Sequence, residues 1–251
     1  SLRSALDMFI GNKKIEVIRS EKLNQIFYVI KADRRIEVLY HKNMILHHFL
    51  VPNMINSAWF NVFNGNIKDG MQLTRYLMKK RKELKYEFYL PSIKEMLDEA
   101  MRILSYALGR EIKSFDECMK FSTQEMYQIA TKVKNFSTAL SYLYESYYIS
   151  ILAINYLKGG SFTQDKFLQV VKELFQLEIE HGRVIRYNEA FAVPILKDTL
   201  IHFQNEKVLG RNDTREFYVN DPEKLEVALD KFVKDLNDQV AINVKFNKAS
   251  L

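Results

Sequence analysis

Residues 43–67 form a run of twenty-five with no formally charged side chain when histidine is neutral, in a chain where 27% of residues are charged. Such a run has two natural environments, the hydrocarbon of a bilayer or the interior of a protein. A membrane span requires roughly 20 predominantly apolar residues, so the length alone permits either. The composition decides against lipid. Asn43, His47, His48, Asn53, Asn56, Asn61, Asn64 and Asn66 each bring polar groups that hydrocarbon cannot satisfy, and Pro52 frees a backbone carbonyl. The segment is therefore expected to be a buried, Pro-kinked helix whose amides find partners on neighbouring helices.

The rest of the chain supplies those neighbours. Eight Gly and four Pro in 251 residues leave few positions for tight turns, which argues for long helices over a many-stranded β fold. With 47% hydrophobic residues, the chain is neither disordered nor collagenous. Helical periodicity predicts helices over 71–82, 92–108, 122–134, 137–157, 163–180, 187–206 and 222–238. In the fourth, Leu140, Leu143, Tyr144, Tyr147, Ile151 and Ile154 fall at steps of three and four along one face, and Phe167, Val170, Val171 and Leu174 repeat the pattern in the fifth. Ser122 or Thr123 and Thr163 are placed to cap helix starts, Gly159 and Gly160 to end one, and Asp221 with Pro222 to open the last. β-prone runs at 14–18, 25–30 and 36–40 predict a small N-terminal β element, with a hairpin loop at 31–35. A second pair of short runs, 207–210 and 215–219, flanks an Asn-Asp turn. The fold class expected is mainly α: a multi-helix domain with a small N-terminal β element and a C-terminal helix-hairpin, winged-helix-like unit.

Charge is unevenly distributed. Residues 1–110 hold 19 Lys and Arg against 11 Asp and Glu, whereas residues 111–251 hold 18 against 20. This divides the chain into a basic front segment, 1–110, with the β element and the kinked helix, and a helical segment, 111–251, although one continuous domain is also compatible with the pattern. The densest basic run is Arg75, Lys79, Lys80, Arg81, Lys82 and Lys85. Such a run fits an anionic membrane surface or another anionic partner, and equally a solvated helix face. Against DNA reading by a winged helix, residues 187–206 offer Lys197 against Glu189, Asp198 and Glu206, the wrong balance for phosphate contacts.

Reactive constellations do not stand out. Cys118 is the sole cysteine, which excludes an intrachain disulfide and zinc sites built on paired cysteines, and fits a reducing compartment. Neither a dinucleotide fingerprint nor a Walker loop occurs, and no nucleophile elbow is present. The five histidines, His41, His47, His48, His181 and His202, form no His-Glu-x-x-His pair, so no metal site and no cofactor is expected. The chain starts at Ser1 without a secretory signal, as a trimmed piece of a longer protein would.

The stretch Arg35-Ile-Glu-Val-Leu-Tyr-His-Lys-Asn-Met-Ile-Leu-His-His-Phe-Leu-Val-Pro52 resembles a segment that follows the catalytic domain in the membrane-associated glycerol-3-phosphate acyltransferases. That family has an aromatic pair, then Asn, then His four residues later and Phe two beyond. Tyr40, Asn43, His47 and Phe49 match, while His41 stands where a second aromatic is usual. Residues 143–157, 167–179 and 190–203 and the following hairpin continue in the family's order. The family's transfer chemistry relies on a His-x-x-x-x-Asp motif, in which the carboxylate orients a general base. Here the residues five beyond each histidine are Leu46, Pro52, Asn53, Arg186 and Lys207. The Phe-Pro-Glu-Gly block that binds glycerol phosphate is absent as well, so no catalytic residue is carried over.

The resemblance thus implies a noncatalytic C-terminal accessory domain. Its parent would move an acyl group from acyl-CoA or acyl-carrier protein to the first hydroxyl of glycerol 3-phosphate in phospholipid biosynthesis. The implied partners are its own catalytic domain and an anionic membrane surface or acyl-carrier protein, at the cytoplasmic membrane face. Tyr40, Asn43, His47 and Phe49 would be structural-motif residues. The alternative is a winged-helix-type regulator or membrane-surface adaptor without enzymatic activity.

Overall fold

The computed structural model describes residues 2–21, 24–30, 46–185 and 187–248. They fall into two compact units, Ser1–His47 and His48–Leu251.

The first unit contains α1 (Leu2–Gly11), β1 (Ile15–Ser20) and β2 (Gln25–Ile30). β1 and β2 pair antiparallel from Ile15 opposite Ile30 to Ser20 opposite Gln25. Every residue of β2 is exposed. The third β-prone run, 36–40, and the loop 31–35 lie outside the described residues.

The second unit is mainly helical. A 3₁₀ turn, Leu46–Phe49, leads into α2 (Leu50–Phe63), and α3 (Gly70–Leu84), α4 (Ile93–Leu108), α5 (Phe115–Cys118) and α6 (Thr123–Val133) follow. Next come α7 (Ser141–Tyr156), α8 (Gln164–Glu180), α9 (Tyr187–Ala190) and α10 (Val193–Asn205). The hairpin β3 (Leu209–Arg211) and β4 (Phe217–Val219) and the long helix α11 (Pro222–Lys248) complete it. Residues 48–110 belong to the same unit as the helices after them. No helix among the described residues is long and apolar enough to cross a membrane.

α2 is the expected interior helix of the uncharged run, and every residue from Leu50 to Val62 is buried. The amide nitrogens of Asn53 and Asn56 do find neighbours, while the side-chain oxygens of both have no hydrogen-bond partner among the described residues. Asn53 Nδ2 donates to the carbonyls of Phe136 and Ser137 at 2.8 and 3.3 Å, Asn56 Nδ2 to Val133 O at 3.2 Å, and Trp59 Nε1 to Met126 O at 3.0 Å. Val133 closes α6, so Asn53 and Asn56 add donors to carbonyls at and beyond a helix end, where Phe136 O also accepts from Ala139 N at 3.2 Å. Pro52 sits in the first turn of α2, where its missing N–H would have had no intrahelical acceptor, so it starts this helix instead of kinking its middle.

Capping follows the sequence. Ser122 accepts from Glu125 N while Glu125 reaches back to Ser122 N, and Thr163 accepts from Lys166 N at 3.2 Å. Asp221 accepts from Lys224 N at 3.1 Å at the start of α11.

Three helices depart from expectation. The apolar stripe of α7 predicts one buried face, yet Tyr142 through Ile151 are all buried. Its remaining faces carry small or paired polar groups: Ser150 Oγ accepts from Thr199 Oγ1 at 2.9 Å, Tyr148 donates to Glu178 at 2.8 Å, and Glu145 accepts from Ile185 N at 3.0 Å. α7 is thus the central helix, with α8, α10 and α11 around it. The single helix expected over 187–206 is broken between Ala190 and Val193. In a continuous helix the Pro194 ring would clash with the carbonyl of Ala190, which instead accepts from Ser146 Oγ at 2.5 Å. Finally, α11 runs ten residues past its expected end at 238. Leu225, Phe232, Leu236, Gln239 and Ile242 keep one buried stripe going, with no Gly or Pro to stop it.

Candidate functional site

The basic run lies on α3 and just beyond it. Asp69 caps this helix, accepting from Gln72 N at 2.7 Å. Leu73, Leu77, Lys80 and Leu84 are buried, at helical spacing, so Lys80 occupies a core position. The opposite face is exposed: Met71, Arg75, Met78 and Lys82 step by four, three and four along it, with Lys79 beside them and Lys85 following. Arg81 is turned aside, donating from Nε to Pro91 O at 2.9 Å, and Lys82 pairs with Glu206 at 3.0 Å. The run is therefore two things, an exposed cationic face and one inward lysine.

Lys80 is the buried member of a group of four charges between α3 and α11, of which Glu83, Lys231 and Asp235 are partly exposed. Its Nζ lies 2.9 Å from Asp235 and 3.3 Å from Glu83, and Lys231 Nζ lies 3.2 Å from Glu83 and 3.5 Å from Asp235. Two cations face two anions, so the group is formally neutral. Burial works against the Lys80 ammonium, but Tyr144, Glu83, Tyr76 and Asp235 outweigh it and hold its pKa well above the ordinary lysine value. Burial likewise disfavours the Asp235 carboxylate, and Lys80 and Lys231 overcome this to leave its pKa lowered. Both partners stay ionised, and together they fasten α11 to α3.

Next to this group, His202 of α10 is 5% exposed and enclosed by the rings of Tyr86, Tyr147, Phe203 and Phe232, with centroids 5.0–6.4 Å away. Its Nδ1 has no hydrogen-bond partner among the described residues. Burial, reinforced by Lys231, pushes its pKa down to about 4, so the ring is neutral near pH 7. Tyr147 also donates to Glu87 at 3.2 Å. Burial and the nearby Asp198 push the Glu87 carboxyl up to about 7, with the Tyr147 hydrogen bond acting the other way.

His202 lines an open cleft of about 520 Å³ between α3, α10 and α11. Phe203, Val208, Val227, Ala228 and Phe232 give it an apolar lining, and Lys79, Lys82, Lys224 and Lys231 stand among acids around it. Three of the four acids are already paired: Glu206 with Lys82, Asp221 with Lys224, and Glu83 with Lys80 and Lys231.

The family description of the glycerol-3-phosphate acyltransferase C-terminal region matches residues 1–212 of the 251. The chain belongs to this family. Neither a curated protein nor a solved structure matches it. The matched range ends just past β3, so β4 and α11, with Lys231, Asp235 and one wall of the cleft, lie beyond it.

Of the residues that carried the resemblance to this family, Tyr40 and Asn43 lie outside the described residues. His47 is exposed in the 3₁₀ turn, and Phe49 stacks on Phe136 at 5.7 Å. Cys118 is buried in α5, and burial pushes its thiol up to about 12, far from a reactive thiolate.

Lys80 and His202 are the residues whose roles the sequence pattern did not single out. A signal for Lys80 was available: it continues the 73, 77, 84 stripe as a lone cation at an apolar position. Asp235 next to Leu236 on α11 is the matching anion. For His202 the local signal is too weak, because three of its four enclosing rings come from α7, α11 and the segment after α3.

Proposed function

We propose that this chain is a noncatalytic accessory domain of a glycerol-3-phosphate 1-O-acyltransferase, packing against the catalytic domain and helping to hold it at an anionic membrane surface. The observation that carries the reading is family membership in a chain whose five histidines all lack the Asp five residues onward. An acyl transfer of this kind requires an oriented base, and the sequence supplies no such pair. The parent's acyl donor, acyl-CoA or acyl-carrier protein, and its role in phospholipid synthesis come with the same proposal.

The membrane part is supported by the outer face of α3, where Arg75, Lys79 and Lys82 are interleaved with exposed Met71 and Met78, and by Tyr89, 98% exposed in the segment that follows. Basic side chains near an anionic surface contribute roughly 1 kcal/mol each, and exposed apolar groups between them add burial in the headgroup region.

The deciding experiment supplies the chain alone with glycerol 3-phosphate and acyl-CoA or acyl-carrier protein. No transfer is expected, whereas a catalytic domain of the family expressed with it should co-purify and gain activity. Turnover by the chain alone would overturn the reading. For the surface, co-sedimentation with phosphatidylglycerol vesicles should be lost in the triple variant Arg75→Glu, Lys79→Glu, Lys82→Glu. Retained vesicle binding removes the membrane role of this face, and binding to the acidic acyl-carrier protein in place of vesicles reassigns it.

A further inference from the structure

Among the described residues, the non-glycine residues with positive φ are Lys13 and Asn24 in the first unit and Lys207 and Arg215 in the second. Such a backbone is uncommon for a residue with a Cβ. In each unit the lysine stands between a helix and a strand, and the second residue lies in the turn of the hairpin that follows. The helix ends match bond for bond. Asn12 N donates to Met8 O, Lys13 N to Ile10 O and Lys14 N to Phe9 O, at 3.0, 2.9 and 2.9 Å. Glu206 N donates to His202 O, Lys207 N to Gln204 O and Val208 N to Phe203 O, at the same three distances. With these ends aligned, Leu6, Phe9 and Ile15 correspond to Leu200, Phe203 and Leu209. α1 with β1 and β2, and α10 with β3 and β4, thus follow one local design.

The two copies differ in what covers them. In the second, α7 and α8 pack on α10, and Leu200, Phe203 and Leu209 are buried. Phe162, just ahead of the Thr163 cap of α8, bridges antiparallel to Phe217 on the outer edge of β4, with backbone hydrogen bonds of 2.8 and 2.9 Å. The two rings stack at 5.9 Å, and Phe217 is 2% exposed. In the first copy β2 pairs only with β1 among the described residues, and Leu6, Phe9 and Ile15 are only half-buried. Val17–Tyr28 is the third pair from the start of its hairpin, as Arg211–Phe217 is, so Tyr28 holds the place of Phe217; it is 50% exposed. Residues 26–30 form an unbroken uncharged apolar run, the pattern of a strand covered on both faces, and a free edge of this kind is a template for another strand.

We propose that α1 with the β1–β2 hairpin is an uncovered copy of this design and docks on a polypeptide segment of defined form: an aromatic residue in extended backbone, adding antiparallel to the outer edge of β2 at Tyr28, followed at once by a helix that packs on α1. The complete copy shows both parts, as Phe162 and α8. Edge hydrogen bonds fix the direction of the incoming strand, its ring takes the place beside Tyr28 that Phe162 takes beside Phe217, and the helix buries Leu6, Phe9 and Ile15. On the accessory reading above, the segment belongs to the catalytic domain.

The test uses the full chain with two probes, and affinity and backbone amide exchange as readouts. One probe is a synthetic peptide of residues 158–180, which carries Phe162 and α8. The other is a catalytic domain of the family. Each is expected to bind saturably and to slow exchange at residues 26–30 at least tenfold, while residues 217–219 stay slow throughout. A peptide carrying Phe162→Asp should bind at least tenfold more weakly. Tyr28→Asp should weaken both complexes at least tenfold and leave the unfolding temperature of the helical unit unchanged. Tyr28→Thr, which keeps a strand-favouring residue but not the ring, should weaken them at least threefold. Slow exchange at residues 26–30 in the chain alone, unchanged exchange there with both probes, or unchanged affinity of the Phe162→Asp peptide or of the two Tyr28 variants would each overturn the proposal. Protection by the peptide without any complex with the catalytic domain upholds the docking and removes the accessory reading. A complex with the catalytic domain that leaves residues 26–30 unprotected does the reverse.

Discussion

The second unit buries polar groups in two contrasting ways. On α2 they are neutral amides, and Asn53 and Asn56 hydrogen-bond backbone carbonyls of one neighbouring segment. Between α3 and α11 they are full charges: Lys80 and Lys231 answer Glu83 and Asp235, with the rings of Tyr76 and Tyr144 against Lys80 and that of Phe232 against Lys231. An amide removed from the first region leaves a carbonyl short of one donor. A charge removed from the second leaves opposite charges stranded in a poorly solvating interior, a cost that grows as the dielectric falls. The two regions should therefore fail differently when broken.

The sharpest break is Lys80→Ala. Breaking a buried ion pair by removing one partner typically costs about 3–5 kcal/mol, and chemical denaturation should show a loss of that size. Replacing Lys80 and Asp235 together by Met and Leu should recover most of it, since a buried pair contributes little net stability over well-packed apolar residues. A smaller loss is expected for Asn53→Ala, which removes one donor each from the Phe136 and Ser137 carbonyls while Phe136 O keeps Ala139 N at 3.2 Å. About 0.5–1.5 kcal/mol is the scale for a hydrogen bond lost in this way.

Acid and alkali separate Glu87 from His202. The Glu87 carboxyl is held up to about 7 in the fold, so it keeps its proton where the unfolded chain has released it, and its contribution is lost as pH rises from about 4.5 to 7. His202 is held down to about 4, so its contribution is present above about 6.5 and lost as pH falls towards 4. The two slopes oppose each other between about pH 4.5 and 6.5. Relative to the parent, Glu87→Gln should gain stability with rising pH, and His202→Phe should lose it, each by at most about 1.4 kcal/mol per pH unit. Parallel profiles for both variants and parent would refute this coupling. The smallest effect is expected for Lys82→Gln: its pair with Glu206 is largely exposed, and the loss should stay within about 1 kcal/mol and vanish in salt.

How far the sequence could be read differs between these regions for a physical reason. The Asn-rich interior helix was legible because eight amides and imidazoles without a single charge fit no other environment well. Six of the seven expected helices and the second hairpin were legible from periodicity and caps, which act over a few residues. Lys80, by contrast, sits inside a run of solvated lysines and arginines, and only its place in the 73, 77, 84 stripe hints that it points inward. The break at Phe191 was marked by Pro194, but the acceptor role of the Ala190 carbonyl depends on Ser146, forty-four residues away.

The sequence by itself determined the helical class, the interior position of α2, the capped helix starts at Ser122, Thr163 and Asp221 and the family, because each rests on local spacing or a short motif. Only the tertiary structure decided that α7 is enclosed on every side, that Lys80 meets Asp235 across 155 residues, and that His202 borders a cleft. Those outcomes depend on which faces meet. A face is chosen by the summed burial of the whole unit, and no window of neighbouring residues contains that sum.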